Sequence, residues 1–304
     1  MRNKAVLLSG ISVLVVAAGC SASRPVDTTA TVICSEASDD KNCDYVGLEG
    51  LQAAVDASAV GASIRLLPGE YIASAYLDVP FQDLHVRGAL VIDGKELSIR
   101  ADEGAVIRGQ NGFPVSAIVV RASTVDLSGV HIADFTYDEP EDSIYDGHGI
   151  FTIGSQVSLD DVSIEGIAKM ALTGREDGKI TARNLSIVRS HLGVWLEEDA
   201  SVDISDSQIV GSESAALAIY GNAVAKISDS VIDGNEDDGL YAEDNALIES
   251  RGNSIQNNVP YGARAAGQSR ILICGGDMSG NEADLGEEDS GAVVRDDPDA
   301  CSQA

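Results

Sequence analysis

From Ser155 onward, apolar residues return in short alternating runs such as Val202-Asp203-Ile204 and Leu240-Tyr241-Ala242, separated by Gly, Asn, Asp and Ser. Residues 200–222 read ASVDISDSQIVGSESAALAIYGN, 223–245 read AVAKISDSVIDGNEDDGLYAEDN and 246–268 read ALIESRGNSIQNNVPYGARAAGQ, three blocks of 23 residues. Ile204 falls on Ile227, Ile209 on Ile232 and Ile255, and Leu217 on Leu240. Gly178 to Asp199 makes a 22-residue copy, Ser155 to Asp177 one of 23, and Ser269 to about Asp289 a last, decaying one. Alternation of period two predicts strands with one buried face, and the polar punctuation predicts tight turns. Twenty-three residues leave no room for crossover helices. The copies must therefore stack as coils of a solenoid, each strand pairing with its equivalent one coil away, so that the Ile, Val, Leu and Ala columns merge into one core. The column Ser212, Asn235, Asn258, Asn281 suits side chains stacked at a turn and bonding their neighbours or local backbone, and Asn222, Asn245, Gln268 is read the same way.

Nearer the N-terminus, Leu48, Leu51 and Val55 share one helical face. The run Leu51-Gln52-Ala53-Ala54-Val55-Asp56-Ala57, then Gly61 and Ser63-Ile64-Arg65-Leu66-Leu67-Pro68-Gly69-Glu70-Tyr71, resembles the capping helix and first coil of pectate-lyase-superfamily β-helix proteins. With Cys34 and Cys43-Asp44-Tyr45 before it, the pattern is similar to exported bacterial β-helix lipoproteins. The resemblance implies an all-β, right-handed parallel β-helix over residues 34–289, with a capping helix at about 47–59, a linker at 21–33 and a C-terminal tail at 290–304. It names no activity, because this fold hosts lyases, hydrolases, epimerases and inert scaffolds alike.

Residues 1–20 stand outside the repeat. Arg2 and Lys4 precede an apolar stretch from Ala5 to Ala18, which is the layout of a secretory signal. Ala17-Ala18-Gly19-Cys20 resembles a bacterial lipobox, although that motif prefers Leu where Ala17 stands. This resemblance implies acylation of Cys20, anchorage to the membrane through lipid, and, with Ser21 following, an outer-membrane location in the cell envelope. Of the four cysteines that remain, Cys34 and Cys43 are close in sequence, as are Cys274 and Cys301, and an even count in an exported chain predicts two disulfides, one near each end. Loss of Arg2 and Lys4 leaves 18 basic against 49 acidic side chains, a net charge of −31. Such a surface repels nucleic acid and anionic headgroups, and repels acidic polysaccharide unless divalent cations intervene.

Two places break the regularity in a way that could carry chemistry. Val125-Asp126-Leu127 aligns with Val157-Ser158-Leu159, a spacing of 32, so about ten residues are inserted between Thr136 and Asp146. Loops leaving a rigid scaffold are natural binding positions, and the carboxylates Asp138, Glu139, Glu141, Asp142 and Asp146 there could hold Ca²⁺; no cofactor is otherwise required. Gly147-His148-Gly149 resembles the tripeptide of polygalacturonase-like hydrolases, but the paired aspartates that precede it and the Arg-x-Lys that follows it in that family are missing here. The second place is the outer face of one strand stack. If Ile150, Leu172, Val194, Leu217, Leu240 and Ala263 point inward, then Phe151, Thr173, Trp195, Ala218, Tyr241 and Arg264 form one outward column. Arg175, Glu197, Tyr220 and Glu243 lie beside it, with His148, Lys169, His191 and Asp238 in the turn before. Aromatic rings on a solvent face are apolar plates of the kind sugar rings stack on. Phe151, Trp195 and Tyr241 occupy alternate coils, about 10 Å apart, and small residues at Gly193, Ala216 and Gly239 are expected to leave the column open. The expected partner is therefore a polysaccharide, held by a surface-binding or scaffold protein. Cleavage or epimerisation on the same face is the alternative, since one acid, one base and a cation in a cleft also fit glycan chemistry.

Overall fold

The computed structural model describes residues 30–138 and 144–302. The signal segment with Cys20 lies outside them, and so do Glu139, Glu141 and Asp142. Each repeat contributes one strand to each of three sheets. Gln156–Asp160 enters sheet A, Ser163–Glu165 sheet B and Met170–Arg175 sheet C, and the chain then returns to sheet A as Lys179–Arg183, parallel to Gln156–Asp160. Among the described residues the sheets hold twelve, nine and eleven strands. The aligned sequence columns are the pairing register: Ser201 lies beside Val224, Val224 beside Leu247 and Leu247 beside Arg270.

The inward columns form one apolar cluster that runs from Ile33 through Ile118, Ile150, Leu217 and Ile255 to Met278. Helix Gly47–Ala57 adds Leu48, Leu51, Ala54 and Val55 to this cluster. It stops at Ser58, whose hydroxyl bonds back to the Ala54 carbonyl, and so falls short of residue 59. Turns are uniform because one residue in each adopts the left-handed conformation. Between sheets A and B the non-glycine cases are Asp161, Asn184, Asp206 and Asp229, with φ from 49° to 59°, a region that Asp and Asn tolerate through local hydrogen bonds.

The amide column is buried from Ser212 to Asn258, with Asn281 half-buried at its end. Asn235 Oδ1 accepts from the Ser212 backbone N–H at 2.9 Å, Asn258 Oδ1 from that of Asn235 at 3.2 Å, and Asn281 Oδ1 from that of Asn258 at 2.9 Å. The side-chain amides of Asn258 and Asn281 donate to the carbonyls of Ile232 and Ile255. A second buried ladder, Ser207, Ser230 and Asn253, repeats the arrangement at the preceding turn. The Asn222 and Asn245 column is exposed and links side chain to side chain.

Cys34 pairs with Cys43 and Cys274 with Cys301. The solenoid is longer than the repeat suggests. Thr31–Cys34 is already a strand of sheet A, and past Asp289 a further strand, Ala292–Arg295, joins that sheet because Val293 extends the inward column of Ile248 and Ile271. The short helix Pro298–Cys301 follows.

Two coils are long. Ala62 pairs with Leu97, 35 residues on, and Thr124 with Gln156, 32 residues on. The first excess is a hairpin in which Leu77–Phe81 runs antiparallel to the start of Leu84–Asp93; the second brings Tyr145 beside Val86 of that hairpin. Both insertions therefore sit on the outer side of sheet C.

Candidate functional site

The register of sheet C sets Phe151 beside Thr173, Thr173 beside Trp195, Trp195 beside Ala218, Ala218 beside Tyr241 and Tyr241 beside Arg264. The predicted outward column thus exists as a line of neighbours, but its two halves differ. At the N-terminal half the hairpin lies over the sheet. Val79, Phe81 and Val86 pack on Val91, Val119, Phe151 and Ile153 in a second apolar cluster, with Leu84 and Tyr145 at its edge. Phe151 is 0 % exposed and meets Phe81 edge-on at 6.0 Å. The expectation that Phe151 is a solvent-facing plate is corrected: it points out of the solenoid into the underside of the hairpin. The hairpin is tied down by Arg121, which donates to the Pro80 carbonyl at 3.1 Å, by Gln82 donating to Glu198, and by the Arg175 guanidinium stacked 4.9 Å from the Phe81 ring.

The C-terminal half is open. Trp195, Tyr220 and Tyr241 are half-buried on a bed of Leu192, Ala215 and Ala218. Trp195 and Tyr220 rings lie 4.7 Å apart, tilted by 32°, and Tyr220 meets Tyr241 edge-on at 5.7 Å. The rings are therefore one contiguous strip, not plates on alternate coils, because Tyr220 fills the gap between Trp195 and Tyr241. The strip ends at Arg264, 4.5 Å from the Tyr241 ring and ion-paired to Asp238 at 2.6 Å and Glu288 at 3.0 Å. Tyr241 Oη donates to Glu243 at 2.7 Å. Burial, with the Glu243 and Glu197 charges, pushes the Tyr220 phenol up to about 12, so it stays a neutral hydroxyl at physiological pH.

The small residues have another reason than the expected one. A Cβ on Gly239 would sit 2.6 Å from the Gly262 carbonyl and 3.0 Å from Ile255 Cγ2, and one on Gly193 would strike the Ala216 carbonyl and Ile209. These positions face the next coil and the core, where the chain bends into sheet C.

Where the covered and open halves meet there is a cavity of about 120 Å³. Tyr145, His148, Phe151, Lys169, Met170, Thr173, Arg175, Trp195 and Glu197 line it. Arg175 is held by Glu197 at 2.8 Å and Glu198 at 3.4 Å, while its Nε makes no hydrogen bond. Lys169 lies 5.7 Å from the Tyr145 ring and 5.1 Å from that of Tyr137. His148 is buried against Phe151, shares a 3.0 Å hydrogen bond between Nδ1 and the Thr173 hydroxyl, and has no partner at Nε2. Burial, helped by the positive charges of Lys169 and Arg175, pushes its ring down to about 3. His148 is therefore a neutral, buried part of the site floor.

Of the carboxylates in the acidic insertion, only Asp138 and Asp146 lie among the described residues. Asp146 is 0 % exposed; it accepts from the Asp138 backbone N–H at 3.1 Å and faces Arg87 at 4.0 Å. It folds inward as an anchor instead of opening to solvent with Asp138. Among the described residues no group of three or more His, Cys, Asp or Glu is placed to hold a metal ion.

Sequence columns brought together Arg175, Trp195, Glu197, Tyr220, Tyr241 and Glu243. They missed the hairpin, whose one signal was the 35-residue spacing from Ala62 to Leu97. Chemically, each carboxylate on the open strip already has a partner, Glu197 with Arg175, Glu243 with Tyr241 and Asp238 with Arg264. Such a surface offers ring faces and oriented hydroxyl and guanidinium donors.

A family model for right handed beta helix regions matches residues 116–278. No curated protein sequence matches the chain. Among solved structures, the pectate lyase Pel9A is similar with a TM-score of 0.53 at 12 % identity, over 87 % of this chain and 78 % of that one. The alginate lyase AlyGC is similar with a TM-score of 0.53 at 13 % identity, over 91 % of this chain and 42 % of that one. At these identities the likeness is one of fold.

Proposed function

The chain belongs to the right-handed β-helix family, and from that premise we propose that it is a glycan-binding protein whose ligand lies along the outer face of sheet C. One observation carries this reading: the strip Trp195, Tyr220, Tyr241 is a contiguous aromatic surface. Aromatic faces hold sugar rings through their apolar C–H sides, at about 1 kcal/mol per contact, while Arg264, Tyr220 and Glu197 can take ring hydroxyls at the rim. The test is a glycan array probed with the parent protein and with Trp195→Ala and Tyr241→Ala. Binding that weakens several-fold in both variants, with circular dichroism unchanged, supports the assignment; binding equal to the parent removes it.

A second reading is favoured by the cavity beside Trp195, where a neutral imidazole, two cations, a phenol and a carboxylate converge. Lyase, hydrolase or epimerase chemistry would use such groups as acid and base. Incubation with polysaccharides, read for unsaturated and reducing-end products, separates binding from turnover.

For location, we propose an envelope protein held at the outer membrane by lipid on Cys20. The two disulfides fit an oxidising compartment. Cys20→Ser should release the protein from the membrane fraction, and unchanged fractionation would contradict the anchor.

A further inference from the structure

We propose that this face reads the end of a glycan chain and not an internal stretch: the terminal residue seats in the cavity under Tyr145, and the residues behind it lie along Trp195, Tyr220 and Tyr241. The inference rests on the glycan-binding reading above and adds polarity to it. Its basis is the asymmetry of the outward column. Toward the N-terminal coils the column runs under a fixed cover, since Val119 and Phe151 are 0 % exposed and the hairpin above them is paired in register from Leu77 with Gly88 to Phe81 with Leu84. Toward the C-terminal coils it is open for three coil steps, Trp195 to Ala218 to Tyr241 to Arg264, or about 14 Å at the strand spacing. A chain lying on the open strip therefore meets a wall at the hairpin.

The cavity at that wall suits one terminus. Its 120 Å³ falls below the roughly 300–1,000 Å³ of pockets that enclose whole ligands, so it takes part of a single ring. Two of its lining side chains carry buried polar atoms without a hydrogen bond, His148 Nε2 and Arg175 Nε. Groups left in that state cost free energy, and hydroxyls of a terminal sugar are the chemistry that would satisfy them. Tyr145, beside Val86 of the hairpin, forms the far wall.

The experiment uses the full chain with three probe series: short oligogalacturonides, alginate oligomers and cello-oligosaccharides. Each is offered unmodified, with the reducing end opened by borohydride, with the non-reducing end blocked, and as the parent polymer. In the series that binds, modification of one end should weaken binding by about tenfold or more. Modification of the other should leave it unchanged, and the polymer should bind in proportion to its concentration of chain ends. Tyr145→Ala should reduce the discrimination between ends while Tyr241→Ala, outside the cavity, weakens all members alike. If both modified forms bind as well as the unmodified oligomer and the polymer binds in proportion to its sugar content, the chain passes through and end recognition is wrong. The glycan reading would then survive on the Tyr241→Ala effect. If none of the series binds, both fall together.

Discussion

At the residue scale, burial decides what each side chain in the site can do. His148 shows this in its titration. The unfolded chain takes up a proton near 6.5, whereas the folded chain refuses it until about 3. The contribution of this ring to stability is therefore intact above pH 6.5 and is lost as pH falls toward 3. By linkage the loss at pH 5 is about 2 kcal/mol. Urea unfolding of the parent at pH 7 and pH 5 should show that loss over and above the change in His148→Gln, and equal pH dependence in the two proteins would show that the ring is hydrated. The in-or-out sense of Arg175, Trp195 and Tyr241 was legible because a strand has period two. Period two says nothing of what lies over the outside of a strand, which is why Phe151 looked like a free plate. Gly193 and Gly239 were legible as small but not as crowded, since the crowding comes from the next coil.

At the scale of elements, the repeat is held together by its ladders as well as by its core. The sequence assigned the same role to both amide columns, and their burial separates them. Removing the Asn258 side chain deprives the buried Asn235 N–H and the Asn235 amide of their acceptor, and each unsatisfied buried group costs about 1–3 kcal/mol. Asn258→Ala should therefore lower unfolding stability by about 2–4 kcal/mol in denaturant titration, whereas Asn245→Ala, on the exposed column, should stay within about 0.5 kcal/mol. Similar losses in both would mean that the exposed column bears load as well. Strand positions and register were readable from the 23-residue alignment because every coil repeats one solution. The hairpin Leu77–Phe81 with Leu84–Asp93 was not, because it occurs once and its apolar residues resemble those of ordinary strands.

At the scale of the whole molecule, a solenoid has two ends with unpaired strand edges, and exposed edges invite pairing with other chains. In the last coil the inward register passes from Ala265 to Glu287 and from Ile273 to Arg295. Glu287 accepts from the Val293 backbone N–H at 2.9 Å, and Arg295 pairs with Asp284 at 3.4 Å. Charges stand where the core would otherwise continue, and the Cys274–Cys301 disulfide holds the chain beyond them. The double variant Glu287→Val, Arg295→Val should self-associate with rising concentration in sedimentation velocity. A variant that sediments like the parent would show that some other feature guards this end.

The central claim is that a glycan lies on the outer face of sheet C, and the chain carries its own probe, because Trp195 is its only tryptophan. Tryptophan emission should be followed while oligogalacturonides, alginate oligomers and cello-oligosaccharides are titrated in, with calorimetry in parallel. The prediction is a saturable shift of Trp195 emission to shorter wavelength, with the midpoint that calorimetry gives. Calorimetric binding without any change in Trp195 emission, or no binding in any series, would contradict it.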